Sequence, residues 1–137
     1  MRAVCVVLVV ALPSLPVHAQ QPTTITLSCN GTSKLTATAA AEFKPDPVTN
    51  LGIIVNFSDR TVTFSDYVLP ITGASATLVS FMTRHQPLLA GKPLGKPFSI
   101  DGSIDRVTGH TEISWTHENI GNNTFWELTC RPATRLF

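Results

Sequence analysis

Charge is scarce in this chain. Asp, Glu, Lys and Arg make up 14% of its 137 residues, where a soluble domain usually carries about 25%. Ten basic side chains against nine acidic ones leave a formal charge of only +1. So small an excess cannot neutralise a run of phosphates, which argues against nucleic acid as a partner and disfavours an anionic membrane surface. Long apolar runs are nearly absent too. The longest, A-V-C-V-V-L-V-V-A-L from Ala3 to Leu12, is ten residues, about half of what a helix needs to span a bilayer. No stable membrane insertion is therefore expected once this run is removed. The patterns H-E-x-x-H, H-x-H and G-x-S-x-G do not occur, so common metalloprotease and nucleophile-elbow signatures are missing. No metal site or cofactor is expected.

The single apolar run has a context. Arg2 precedes it, Pro13 and Pro16 break it, and V17-H18-A19 follows. That is the charged, apolar and small-residue order of a secretory signal peptide, with cleavage expected after Ala19. Residues 1–19 then form the leader, and residues 20–137 form one domain of 118 residues with no net charge. Export places the protein in the periplasm or outside the cell. Cys5 leaves with the leader, so Cys29 and Cys130 remain. In an exported protein two such cysteines are expected to pair. The closed loop of about 100 residues would contribute on the order of 4–5 kcal/mol in the chain-entropy account. No histidine pair accompanies them to complete a zinc site.

What the chain does have is threonine, eighteen of them after Ala19, and threonine favours strands. T-I-T-L-S-C sets Ile25, Leu27 and Cys29 on one side. L-G-I-I-V-N-F follows from Leu51, and T-V-T-F-S-D sets Val62 and Phe64 together. A-S-A-T-L-V-S-F-M from Ala74, F-S-I-D-G-S-I-D from Phe98, T-E-I-S-W-T from Thr111 and F-W-E-L-T-C from Phe125 continue the pattern. Short alternating runs between Gly, Pro, Asn and Asp predict an all-β fold: one antiparallel barrel or sandwich of about seven to eight strands. Lys34 to Phe43 carries three successive alanines and is open between helix, strand and loop. Gln86 to Pro97 holds three prolines and two glycines and reads as an exposed loop. Its Leu88, Leu89 and Leu94 either fold back on the core or form a partner-contact patch. Leu69 to Ala76, with Ile71 and Ser75, is a second candidate contact surface.

The densest polar stretch is I-D-G-S-I-D-R-V-T-G-H-T-E, Ile100 to Glu112. Asp101, Ser103, Asp105 and Glu112 fall at positions 1, 3, 5 and 12 of a calcium loop. Position 6 is Arg106 rather than glycine, and both flanks alternate with period two. A hairpin explains the stretch better. Asp105 facing His110 sets Ile104 opposite Thr111, Gly102 opposite Ile113 and Ile100 opposite Trp115 on an inner face. Ser103 with Glu112 and Asp101 with Ser114 then form an outer face. Gly109 supplies a positive φ for the turn, and Gly102 leaves room beside Trp115.

Asp101, Ser103, Asp105, His110 and Glu112 are thus the only candidate polar cluster. They are weak as a catalytic set, because a strand serine lacks a nucleophile's strained turn. His85 and His117 stand alone in expected loops, and Glu112, Glu118 and Glu127 read as ordinary surface acids. Asn30, Asn56 and Asn122 begin N-x-[ST] sequons, which are glycan acceptors only in a eukaryotic secreted chain.

Four stretches, T-I-T-L-S-C-N-G-T, N-L-G-I-I-V-N-F-S-D-R-T-V-T-F, G-S-I-D-R-V-T-G and E-L-T-C-R-P-A-T-R-L-F, together resemble small exported alphaproteobacterial proteins of unknown function. That resemblance implies export and brings no activity or catalytic residue. The plan of a cysteine near each end of a small β domain is also similar to periplasmic lysozyme inhibitors, whose loop motif is matched only loosely by Ile71 to Ala76. The expected function is a non-enzymatic binding or interaction module, with an unidentified protein or a small apolar ligand as partner. The alternatives are a lysozyme-inhibitor-like protein, or a hydrolase or cation binder using the polar hairpin face.

Overall fold

A computed structural model describes residues 23–36, 43–85, 97–117 and 121–134, together with the backbone of 88–89 and 92–93. The expected leader lies outside these residues, as does 37–42, so of the ambiguous alanine-rich segment only Lys34 to Thr36, which are strand, and Phe43, which is not, are placed. The strands are β1 (Thr24–Thr36), β2 (Asp46–Asn56), β3 (Thr61–Phe64), β4 (Tyr67–Ala74) and β5 (Leu78–His85). They continue as β6 (Leu88–Leu89), β7 (Lys92–Pro93), β8 (Phe98–Asp105), β9 (His110–His117) and β10 (Asn123–Pro132). Eight of them close into an antiparallel barrel, in which β2-β3-β4-β5-β8-β9-β10 follow one another and β1 pairs with both β2 and β10. β6 and β7 form a separate two-stranded ribbon between β5 and β8.

Alternation builds the interior, because successive side chains of a strand point to opposite faces. Leu27, Ile53, Val62, Phe64, Leu69, Phe81, Ile100, Ile113 and Leu128 are buried, and the space inside an eight-stranded barrel is filled by such side chains. Thr111 is the one buried polar side chain among the described residues, and its hydroxyl donates to the Gly109 carbonyl at 3.2 Å. Cys29 and Cys130 are direct cross-strand partners on β1 and β10 and form the disulfide, across 101 residues of sequence.

The β8–β9 register is Ile104 to Thr111, Ser103 to Glu112, Gly102 to Ile113, Asp101 to Ser114 and Ile100 to Trp115, as the sequence predicts. Gly109 has φ +76°, and its carbonyl accepts from Cys130 N at 2.8 Å, which anchors the turn to the disulfide. The room beside Gly102 is taken by Phe81, its neighbour on β5, rather than by Trp115.

Two boundaries differ from the sequence reading. The strand expected from Ala74 is split, since Ser75 to Thr77 form a turn whose Ser75 Oγ accepts from Leu78 N at 3.0 Å. The segment before it, which the sequence reading leaves as a contact surface, is strand β4. Pro70 conceals it: the residue sits at the end of the β3 ladder, just before a register shift against β5, where a missing N–H is tolerated. Ile71 is consequently a core residue, 6% exposed, and not a partner contact. Ser75 is exposed, but its hydroxyl is engaged by the turn.

Candidate functional site

The outward face of β5, β8, β9 and β10 forms an open trough of about 650 Å³. Its side chains fall on two rungs fixed by strand register. The first runs Ser80, Ser103, Glu112, Glu127, and the second Met82, Asp101, Ser114, Phe125. All eight line the trough. Three of the five candidate polar residues, Asp101, Ser103 and Glu112, are therefore brought together here.

The trough is acidic and partly apolar. Glu112 and Glu127 are direct cross-strand partners, and like charges so placed destabilise a sheet. Among the described residues no Lys or Arg lines the trough. Met82 and Phe125 are 54% and 43% exposed. Neither was singled out from the sequence, although the strand period carries the signal. If Trp126, Leu128 and Cys130 point inward, Phe125 must point out.

The other two candidates depart from this surface. Asp105 does not pair with His110. Its Oδ1 accepts from Val107 N at 2.8 Å and from Thr108 N at 2.9 Å, folding the carboxylate into the turn. These two backbone donors, Thr108 foremost, hold the Asp105 carboxyl below its ordinary value. His110 meets Glu112 instead, with Nε2 3.3 Å from Oε1. That pair is exposed on both sides, so it contributes little to stability. No hydrogen bond joins His110 to Ser103 among the described residues, so these two are not arranged as base and nucleophile. Nor do three His, Cys, Asp or Glu side chains converge as metal ligands among the described residues. The calcium-loop positions are strung along a ladder rather than wrapped around a point. Leu88 and Leu89 form β6, but their side chains, and Leu94 and Glu118 entirely, lie outside the described residues.

The two isolated histidines are not in loops. His85 ends β5 and His117 ends β9, and both face Phe98 across the sheet. The rings continue as one aromatic cluster at this end of the barrel. Tyr67 packs edge-on against Phe98 and Trp115, and His117 stacks on Trp115 at 5.6 Å. Trp115 Nε1 is buried without a hydrogen-bond partner.

Compared with family models, with curated proteins and with solved structures, the chain matches none.

Proposed function

We propose that this chain is an exported, non-enzymatic binding module whose acidic trough captures a basic, partly apolar segment of another protein. The carrying observation is the Glu112–Glu127 rung beside the exposed Met82 and Phe125. A sheet selected for stability alone would place a basic side chain opposite Glu112. A Lys or Arg from a partner relieves this repulsion, and an apolar side chain between the cations covers Met82 and Phe125. Export is supported by the leader-like first nineteen residues, by the resemblance to small exported proteins, and by the disulfide, which persists in oxidising compartments.

The test is a titration with a short peptide holding one phenylalanine between two lysines. Saturable binding is expected, weakening as salt is raised. Glu112→Gln combined with Glu127→Gln should weaken it about ten-fold, a loss of roughly 1.4 kcal/mol. Equal binding of a peptide with glutamates in place of the lysines would refute the reading.

A further inference from the structure

A second concavity lies at the end of the barrel opposite the aromatic cluster. It has a volume of about 280 Å³ and opens between the start of β1, the end of β2, the β8–β9 turn and the end of β10. Leu27, Val55, Val79 and Ile104, all core residues, line it. Ile25, Phe57 and Val107 also line it, and Val107 is 75% exposed. Through this mouth a small molecule reaches four core side chains without unfolding anything.

Its charged groups have a definite balance. Arg106, Arg131 and Asp105 line the pocket. The Asp105 carboxylate is turned onto the amides of Val107 and Thr108. Arg106 lies over the Phe57 ring at 5.1 Å and donates from one terminal nitrogen to the Ser75 carbonyl at 2.6 Å. A guanidinium carries five N–H donors, so Arg106 is oriented by these contacts and keeps donors to spare. Arg131 is exposed and has no ion-pair partner among the described residues. Two cations against one internally satisfied carboxylate leave a positive rim over an apolar floor.

We propose that this mouth binds a small amphipathic carboxylate, its apolar body against Leu27, Val55, Val79 and Ile104 and its head at Arg106 and Arg131. Size limits the class. The volume is about twice the ~150 Å³ cavity that takes benzene and falls just below the ~300 Å³ at which drug-sized sites begin. A short acyl chain or a one- to two-ring acid fits, and a long-chain lipid does not. Planar carboxylates also match the forked donors of arginine. The site is separate from the trough, so its fate is independent of the peptide-binding reading.

The experiment is calorimetric titration of the domain with octanoate, octanol and octylammonium, with amide shifts followed by NMR. Octanoate should bind at one site and shift the Val107, Thr108 and Gly109 amides. Arg131→Gln should weaken octanoate about ten-fold and leave octanol unchanged. Ile25→Trp, which fills the mouth, should abolish both. If that variant fails to fold, the Arg131→Gln comparison and the three head groups still decide. Absence of saturable binding by any probe, shifts confined to other surfaces, or octylammonium binding as well as octanoate would each overturn the proposal.

Discussion

Asp105 is one of the five candidate polar residues, and its carboxylate serves its own turn. The Thr108 and Val107 amides stabilise the charged form, so folding lowers its pKa. A carboxyl whose pKa falls on folding adds stability above its unfolded value near 3.9. That contribution is lost as pH falls through the folded value. Thermal melts should therefore show the native chain more stable than Asp105→Asn at pH 5, with the gap closing towards pH 2. A gap independent of pH would count against this account. Glu127→Gln removes a like-charge pair and should raise stability by roughly 0.2–1 kcal/mol, while weakening any basic ligand. Denaturant midpoints would detect the gain. At this scale the sequence told which side chains share a face and not which partner each takes. Asp105 and His110 flank one turn, but the backbone amides of that turn take the carboxylate, and turn geometry of that kind is not readable from spacing.

Among the elements, the β8–β9 hairpin was legible because both faces constrain it. A one-residue slip would put Ile100 on one face with Glu112 and Asp101 on the other with Ile113, mixing polar and apolar side chains on both. β4 was not legible, because Pro70 and Gly73 mask its alternation and only the ladder ends show why they are tolerated. Gly102 carries information of the same long-range kind. Added as a side chain, its Cβ would sit 2.6 Å from the Glu112 carbonyl oxygen and 2.6 Å from Phe81 Cζ. The glycine is what lets Phe81 lie flat against β8, a cross-strand choice invisible in either strand alone. Gly102→Ala should destabilise by about 1–3 kcal/mol through overpacking. Much of that cost should vanish when Phe81→Leu is already present, although Phe81→Leu itself leaves a void. A double-mutant cycle read by urea midpoints measures the coupling. Additive effects would mean that the Glu112 backbone, rather than the ring, sets the limit.

For the whole molecule, the decisive step is closure. Seven of the eight strand pairings join successive barrel strands and can form by adding one neighbour at a time, with short connections through most of the meander. The pairing of β1 with β10 joins the two ends of the domain and has the greatest loop entropy to overcome. The Cys29–Cys130 bond is placed on that seam, between direct cross-strand partners. It therefore constrains the unfolded chain at the contact that is hardest to form. Cysteine arithmetic anticipated the bond, but not that it fastens a barrel, since barrel and sandwich share the same strand periodicity and only closure separates them. In the chain-entropy account a loop of about 100 residues contributes roughly 4.7 kcal/mol, a large share of the 5–15 kcal/mol typical of a domain. The double variant Cys29→Ser and Cys130→Ser should thus lose several kcal/mol, and its first loss of amide protection should appear in β1 and β10 rather than in β8 and β9. Calorimetry gives the first quantity and hydrogen exchange the second. Uniform loss of protection around the ring would show that the bond stabilises the barrel without governing its closure.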